Sequence, residues 1–305
     1  MQIVENPNIM GKKVADQLVE TICGAGIRHI YAVTGDSLNE VNDAVRRAGT
    51  VRWIHMRHEE SGAFAAAAEA QLNGLACCAG SSGPGHVHLI NGLYDAHRSN
   101  CSVLAIASTC PSGQFGTGYF QETSPIRLFD DCSGYNQMAV TPVQFARMLP
   151  AALQHALHKR EVAVIGLPGD VAACPCAESP GAPGPLSSHS IFRPQDGELR
   201  QLADMIASAE RITLFCGIGA REAHDEVVQL AGLLKAPVAY SFKSKMEVQY
   251  DNPFEIGMTG LLGLPSAYGS MHESDLLILL GTDFPYDSFL PQERVVGEIG
   301  AQQDQ

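Results

Sequence analysis

Short apolar runs alternate with helical patterns along residues 14–167. Val14, Leu18 and Ile22 recur at helical spacing and predict a helix over Val14–Ala25, which ends at the glycines 24 and 26. The predicted strands are His29–Val33, Arg52–His55, Leu75–Ala79, Val103–Ala107 and Val162–Leu167. The other predicted helices are Leu38–Arg47, Glu59–Leu72, Val87–His97 and Gln144–His158, and Ser37 is the predicted cap of the first of these. Because helices separate the strands, the pattern predicts an open, parallel α/β sheet covered on both faces.

A break in this pattern follows at residues 177–194, which are rich in proline, glycine and serine and predict a linker. Beyond it the predicted helices are Glu198–Ala209 and Ala223–Leu234, and the predicted strands are Ile212–Cys216, Val238–Ser241 and Leu276–Leu280. We therefore expect two successive open, mainly parallel sheets with helices on both faces. The first domain is expected over residues 1–176 and the second, which we expect to be incomplete, over 195–305.

Composition limits the partners rather than the fold. The chain carries 20 Lys and Arg against 33 Asp and Glu, a net charge of −13, which argues against a nucleic-acid partner. Its nine cysteines are odd in number and contain no CxxC spacing, so a reduced, cytoplasmic chain is expected. No apolar run approaches the roughly 20 residues that cross a bilayer. The expected partners are small molecules and further copies of the chain.

Two segments at strand ends carry candidate chemistry. Glu59 and Glu60 open a predicted helix, where acids are often only favourable charges near the helix N-terminus. The run Ala63–Ala68 would instead wall a carboxylate with apolar groups and suit it to proton transfer, and spacing alone leaves open which acid is buried. Gly80–Gly85 predicts either a turn that needs positive φ or a loop whose N–H groups face a ligand.

The spacing of the histidines does not indicate a metal site. Four histidines lie near these segments, His58, His86, His88 and His97, and their spacing matches no paired zinc-binding motif, so we expect no metal ligands in the chain. In the second half, Gly217, Gly219 and Gly281 lie at strand ends. Open α/β sheets bind ligands at that edge, and turns need glycine there too, so both interpretations stay open.

Nine short motifs follow one another along residues 10–291. They are Thr34–Asn39 (TGDSLN), Arg57–Glu60 (RHEE), Cys78–Gly85 (CAGSSGPG), His88–Asp95 (HLINGLYD), Gly118–Thr123 (GYFQET), Leu167–Val171 (LPGDV), Tyr250–Pro253 (YDNP), Gly257–Gly260 (GMTG) and Gly281–Tyr286 (GTDFPY). In this order and spacing they resemble the thiamine-diphosphate-dependent pyruvate oxidases and quinone-linked pyruvate dehydrogenases of bacteria. Each motif is modest alone, and the ordered set is highly specific.

The resemblance implies a pyrimidine-binding domain followed by a Rossmann-like flavin-binding domain. It implies that Glu59 hydrogen-bonds the aminopyrimidine ring of thiamine diphosphate and promotes loss of the thiazolium C2 proton, after which pyruvate or another small 2-oxo acid is decarboxylated and a flavin accepts two electrons. The residues implied along the thiamine cofactor and substrate are Gly35, Asp36, Gly83, His88, Phe120 and Gln121. Those implied along FAD are Gly217, Gly219, Gly260, Leu261, Leu262, Gly263, Asp283, Phe284, Pro285, Tyr286 and Asp287.

The chain departs from the resembled family in three places. The family usually has glycine where Ser244 stands and arginine where Asp287 stands, so we expect altered flavin affinity. Its Gly-Asp-Gly…Asn motif, which holds Mg²⁺ and the diphosphate, has no counterpart here. We therefore expect the chain to hold only the pyrimidine end of the cofactor and to act with a second copy or with a separate diphosphate-domain chain. The alternatives are a non-catalytic fragment and an acetolactate-synthase-like 2-oxo-acid carboligase.

Overall fold

The computed structural model describes residues 11–177, 193–282 and 286–291, and the chain divides into two compact units, residues 1–189 and 190–305. Within these described ranges, each unit contains one parallel sheet with its own apolar core. All nine cysteines are free thiols. Among the described residues, no helix has the length and apolar character needed to span a membrane.

The first unit contains a six-stranded sheet. Its strands are β1 (His29–Ala32), β2 (Arg52–His55), β3 (Ala76–Gly80), β4 (Val103–Thr109), β5 (Tyr135–Met138) and β6 (Val162–Pro168). Its helices are α1 (Val14–Gly24), α2 (Asn39–Ala48), α3 (Glu59–Asn73), α4 (Pro84–Val87), α5 (Ile90–Arg98), α6 (Pro125–Leu128), α7 (Pro142–Lys159) and α8 (Gly169–Ala173). The strand order is β2-β1-β3-β4-β6-β5, and every neighbouring pair is parallel.

Apolar side chains pack on both faces of this sheet. Successive residues of the central strands alternate between two buried clusters: Leu104 packs in the cluster with Leu18 of α1, whereas Val103 packs in the cluster with Ala66 of α3 and Leu93 of α5. Such alternation is the period-two geometry of a strand, and both faces are buried here because helices cover both. The prediction of a parallel sheet between two helical layers is confirmed.

Two local predictions for this unit were wrong, and one strand was not predicted. Ser37 does not cap α2, which begins at Asn39 with Leu38 as its N-cap residue; Ser37 lies in a 3₁₀ turn, Asp36–Leu38. The predicted helix Val87–His97 is interrupted, since the Leu89 N–H bonds to His86 O, three residues back. Strand β5 was not predicted, because as a half-exposed edge strand with two amide side chains it lacks a continuous apolar run.

The second unit contains a four-stranded parallel sheet in the order β10-β7-β8-β9. Its strands are β7 (Ile212–Cys216), β8 (Val238–Tyr240), β9 (Glu255–Met258) and β10 (Leu276–Leu280), and its helices are α9 (Asp196–Ser208), α10 (His224–Leu234), α11 (Lys245–Val248) and α12 (Pro265–Glu273). Val227 and Ala231 of α10 pack in one core with Leu214, and Ala267 and Met271 of α12 pack on the opposite face.

Strand β9 and helix α12 were not predicted from the sequence. Gly257 interrupts β9 at φ +100, and the β8–β9 register shifts between Val238 and Ala239. A bulge of this kind breaks the alternation that identifies a strand. The predicted strands β7 and β10 are confirmed with the expected bounds.

Candidate functional site

Glu59 is the first residue of α3 and is 8 % exposed. His58 precedes it as the N-cap residue, and the His58 Nδ1 atom accepts a hydrogen bond of 3.3 Å from the Glu60 N–H. This cap satisfies one of the amides that the first helical turn leaves unpaired. Of the two acids at this helix start, Glu59 is therefore the buried one, and Glu60 is less buried.

His88 binds the Glu59 carboxylate directly. Its Nδ1 atom lies 3.0 Å from Glu59 Oε2, and an ionised carboxylate only accepts, so the imidazole N–H donates. The His88 ring also stacks on the His58 ring, with centroids 4.5 Å apart and planes inclined by 24°. The side chains of His58 and His88 are 47 % and 43 % exposed, against 11 % for Glu59. One buried carboxylate is thus flanked by two accessible imidazoles.

The glycine-rich turn after β3 approaches this carboxylate. A Cβ atom at Gly85 would stand 3.4 Å from Glu59 Oε1 and 3.1 Å from Ser81 Cβ, so glycine leaves that side of the oxygen open. Gly80 packs against the His86 backbone, where a Cβ atom would be 2.5 Å from His86 Cα. Gly83 has φ +65, a conformation that favours glycine. The turn therefore needs its glycines for close packing and presents Gly85 to Glu59.

A serine cluster fixes the loop after β1 to the same turn. The Ser37 Oγ accepts from the Ser82 N–H at 2.9 Å and lies 2.9 Å from the Ser81 Oγ. Gly35 packs so closely that a Cβ atom there would be 2.3 Å from the Ser81 Oγ. Asp36 is exposed, and its carboxylate accepts from the Ser37 N–H. Of the two predicted residues in this loop, Gly35 contacts the turn, and Asp36 faces solvent.

The carboxylate of Glu122 binds backbone amides of its own loop, residues 115–123. This side chain accepts hydrogen bonds from the backbone N–H groups of Gly116, Gly118 and Tyr119 at 2.6, 2.9 and 3.1 Å. These bonds, chiefly that from Gly116, lower the pKa of Glu122. Phe120 is consequently held 75 % exposed at the loop tip.

Gln121 connects this loop to the glycine-rich turn. Its amide oxygen accepts from the Ser82 hydroxyl at 3.1 Å, and its backbone has φ +61. A Cβ atom at Gly83 would lie 2.8 Å from Gln121 Cβ, so the two segments are in van der Waals contact. The predicted residues Gly83 and Gln121 are therefore neighbours.

His86 fastens the same loop to the sheet from within the core. It is fully buried, and its Nδ1 donates to the Ser108 carbonyl of β4 at 2.7 Å. The neutral ring then has an acceptor at Nε2, which receives the Thr123 hydroxyl at 2.6 Å. Burial lowers the pKa of His86, since a charged imidazole would be poorly solvated there.

In the second unit, the predicted flavin-site glycines have a packing explanation. A Cβ atom at Gly217 would lie 2.3 Å from Gly281 O, and one at Gly219 would lie 2.8 Å from Gly281 Cα. Gly281 itself has φ +57. The segments that follow β7 and β10 therefore cross with no room for side chains. Ser244 is fully buried and donates its hydroxyl to Cys216 O at 2.7 Å, so its side chain is turned into the fold.

The turn after β9 presents apolar side chains beside a buried hydroxyl. Gly260 has φ +113 and its carbonyl accepts from the Gly263 N–H at 2.9 Å, which leaves Leu261 and Leu262 at 73 % and 67 % exposure. The Thr259 Oγ1 is buried without a hydrogen-bond partner among the described residues. Tyr286 and Asp287 are exposed, and the predicted residues Asp283, Phe284 and Pro285 lie outside the described residues.

Several residues of this first-unit site were not predicted from the sequence. Four of them are serines linked through Ser37, namely Ser37, Ser81, Ser82 and Ser108. The other two are Glu122, which binds amides of its own loop, and Thr123, which binds His86. Most of these bonds link residues far apart in the chain, so spacing carried no signal for them. The bonds of Glu122 are the exception, because they reach only three to six residues back along the chain.

Two surface concavities lie away from these residues. One, of about 330 Å³, is lined by residues of the first unit that include Trp53 and Arg46. The other, of about 530 Å³, is lined in the second unit by Gln249, Asp251, Asn252, Pro253 and Glu255. Neither lining includes Glu59. The carboxylate is therefore buried by its immediate neighbours and does not lie at the bottom of either concavity.

Two family models match the chain. The N-terminal thiamine pyrophosphate binding domain of thiamine pyrophosphate enzymes matches residues 12–128, and the central domain of the same enzymes matches residues 199–298. The first match contains Glu59, His88 and Gln121, and the second contains the sheet of the second unit.

Similar proteins agree with these matches. A 42.6 kDa protein of Pseudomonas amyloderamosa is 47 % identical over 94 % of this chain and 73 % of its own length. The pyruvate oxidase of Lactiplantibacillus plantarum is 33 % identical over 86 % of this chain and 44 % of its own length. The chloroplastic acetolactate synthase of Arabidopsis thaliana is 28 % identical over 95 % of this chain and 43 % of its own length. The chain thus spans less than half the length of these two enzymes.

Proposed function

The chain belongs to the thiamine pyrophosphate enzyme family, and on that premise we propose that Glu59 hydrogen-bonds the aminopyrimidine of thiamine diphosphate in an enzyme that oxidatively decarboxylates pyruvate. The observation that carries this proposal is the burial of Glu59 at the start of α3, with His88 on one carboxylate oxygen and Gly85 beside the other. Thiamine diphosphate, when bound, supplies the electron sink for decarboxylation.

The residues present fit the pyrimidine end of that cofactor. His88 donates to Oε2 and so fixes the orientation of the carboxylate. Oε1 faces the glycine at position 85, where no side chain blocks an approaching ring. Glu59 can then exchange a proton with a ring nitrogen at Oε1, and the low exposure of this group excludes competing water.

Phe120 and Gln121 are proposed to face the reacting carbon of the substrate. Gln121 is held beside the turn by Ser82 and Gly83, and Phe120 offers an apolar surface at the tip of the same loop. An apolar side chain there would exclude water, and an amide would bind the carboxylate or carbonyl of a 2-oxo acid. We assign no residue of this chain to Mg²⁺ or to the diphosphate.

The site is proposed to be completed by a second copy of the chain or by a separate chain that carries a diphosphate-binding domain. His58, His88 and Phe120 are exposed in the first unit, and neither concavity encloses Glu59. A second wall over these residues would bury them together with the cofactor.

Cofactor binding and proton exchange test the role of Glu59. Calorimetric titration of the chain with thiamine diphosphate and Mg²⁺ is compared for the wild type, Glu59→Gln and Glu60→Gln, and exchange of the cofactor C2 proton is followed by NMR. We expect Glu59→Gln to weaken binding and slow exchange and Glu60→Gln, the adjacent acid, to change neither. Equal effects of the two variants would contradict the role of Glu59, and no binding by the wild type would contradict completion of the site by a second copy of this chain.

The substrate assignment needs its own measurement. Incubation with pyruvate and an artificial two-electron acceptor should yield carbon dioxide and reduced acceptor in equal amounts if pyruvate is oxidised. Formation of acetolactate without acceptor reduction would instead support a carboligase of the acetolactate synthase type, which the similarity to the Arabidopsis enzyme keeps as the second candidate.

FAD is proposed to bind the second unit at the turn after β9. The Thr259 hydroxyl, which has no hydrogen-bond partner within the described part of the chain, and the exposed Leu261 and Leu262 side chains fit a ligand with both polar and apolar parts. Ser244 does not obstruct this proposal, because its hydroxyl is engaged with Cys216 O. Flavin fluorescence titration tests it: Thr259→Val should weaken FAD binding, whereas Thr21→Val on α1 of the first unit should not.

A further inference from the structure

The side chains of His58, Glu59 and His88 form a set of possible metal ligands. One ligand atom from each lies within 4.8 Å of the other two, and among the described residues no other group of three His, Cys, Asp or Glu side chains meets this condition. Two imidazoles and one carboxylate are the ligand set of many catalytic zinc sites, which keep a fourth position open. We propose that these three residues bind a divalent transition-metal ion of the zinc class.

Two of the ligands are already at a suitable separation. His88 Nδ1 and Glu59 Oε2 are 3.0 Å apart, close to the ~3.3 Å that separates neighbouring ligand atoms in a tetrahedral zinc site with bonds of about 2.0–2.1 Å. Glu59 is fixed by burial, and His88 follows α4, so the pair comes from two different elements of the fold.

The third ligand, His58, can reach the ion by rotation of its side chain. Its ring stacks on that of His88 and is about half exposed, so no core packing opposes the movement. The set lies at the N-terminus of α3, whose partial positive charge opposes a cation. Glu59 and Glu60, both in the first turn, outweigh this partial charge with two carboxylates.

The ligand chemistry selects the ion. Imidazole nitrogen suits Zn²⁺, Co²⁺ and Ni²⁺, whereas Mg²⁺ and Ca²⁺ require oxygen ligands throughout. Binding through His88 Nδ1 moves the proton that now bonds Glu59 to Nε2 of the same ring. An ion held here would occupy the carboxylate that the proposed function assigns to proton exchange and would inhibit the enzyme; this last consequence rests on the proposed function.

Titration of the full chain with Zn²⁺, in the absence of any thiamine compound, tests the site. His58→Asn keeps a side-chain oxygen that can cap α3 but removes the imidazole, and His88→Gln keeps an N–H donor for Glu59. Each variant should weaken Zn²⁺ binding by at least about tenfold, or 1.4 kcal/mol. Glu59 is left unchanged, so a failure here does not bear on the proposed function.

His155→Asn is the matched control. His155 bonds Glu161 at 2.7 Å, which reproduces the histidine–carboxylate pair without a third ligand. This variant should leave Zn²⁺ affinity unchanged. Titration with Mg²⁺ should give the same result for the wild type and all three variants. Thermal melting of each variant shows whether the fold is intact. Equal Zn²⁺ affinity in the wild type, His58→Asn and His88→Gln, or an equal loss in His155→Asn, would overturn the proposal.

Discussion

The hydroxyl of Thr123 lies 2.6 Å from Nε2 of the buried His86, whose other ring nitrogen bonds the Ser108 carbonyl. One imidazole thus joins the loop that carries Phe120 and Gln121 to strand β4. Because both nitrogens are engaged in the neutral ring, the contact depends on the protonation state of His86.

The stability of the first unit should fall in mild acid. Burial lowers the pKa of His86, so the unfolded chain binds a proton at a higher pH than the folded chain. The contribution is complete above the unfolded value of about 6.5 and is lost progressively as the pH falls below it toward the folded pKa. Urea unfolding followed by the fluorescence of Trp53, the chain's one tryptophan, measures this in the first unit. His86→Gln should reduce the pH dependence and His155→Gln should not; an unchanged pH profile in His86→Gln would refute the assignment.

Removal of the Thr123 hydroxyl should destabilise the first unit. Thr123→Val leaves the buried His86 Nε2 without a donor, at a cost of about 1–3 kcal/mol. Thr123→Ser keeps the hydroxyl and should lose much less. Urea unfolding of both variants by Trp53 fluorescence gives the comparison, and equal losses would show that the methyl group, not the hydrogen bond, matters.

Neutralising Glu122 should loosen the loop 115–123. Glu122→Gln weakens the bonds from the N–H groups of Gly116, Gly118 and Tyr119, so hydrogen exchange at these amides should accelerate. Since these bonds lower the pKa of Glu122, the wild-type loop keeps its protection above the ordinary glutamate pKa and loses it as the pH falls through the folded value. Glu226→Gln in the second unit is the control, and unchanged exchange in Glu122→Gln would contradict the role of the carboxylate.

Gly83→Ala should be more harmful than Gly116→Ala. Both glycines have positive φ, +65 and +80, but a Cβ atom at Gly83 would lie 2.8 Å from Gln121, whereas at Gly116 nothing lies within 4 Å. Gly116→Ala should therefore cost only the backbone strain of about 1–2 kcal/mol, and Gly83→Ala that strain plus displacement of Gln121. Urea unfolding followed by Trp53 fluorescence measures both. Equal losses of unfolding free energy would mean that Gln121 moves away from the added Cβ atom at no cost.

In the second unit, Gly217→Ala and Gly269→Ala should have opposite effects. A Cβ atom at Gly217 would overlap Gly281 O at 2.3 Å, so the segments after β7 and β10 must separate. Gly269 lies within α12 with nothing near its added Cβ atom, where alanine should stabilise by about 0.5–1 kcal/mol. Scanning calorimetry measures both changes, and stabilisation by Gly217→Ala would contradict the observed crossing.

The sequence predicted the parts of this structure that depend on local pattern. Apolar runs such as Ile212–Cys216 and Leu276–Leu280 became strands because every member is apolar or β-branched. The spacing of Val14, Leu18 and Ile22 identified the buried face of α1. The placement of Glu59 beside His88, in contrast, followed from family resemblance, since the two residues lie on separate elements.

What sequence could not predict depends on contacts between distant segments. Ser37 has the residue type of a helix cap, yet its hydroxyl bonds the turn at Ser81 and Ser82, because tertiary contacts outweigh the weak local preference. The stacking of His58 on His88 likewise needs the start of α3 and the end of α4 to meet. Strand β9 was not predicted because its bulge at Gly257 interrupts the alternation of side chains that identifies a strand.

The hydroxyl of Ser108 in β4 shares its one proton between two carbonyl oxygens, Ser37 O in the loop after β1 and Leu167 O of β6. All strand pairs of this sheet are parallel, so none can form as a simple hairpin before a crossover is complete. Contacts this distant in sequence form only when the loop-closure entropy has been overcome. We therefore expect the serine cluster and the turn beside Glu59 to be assembled only after strands from both halves of the sheet have docked.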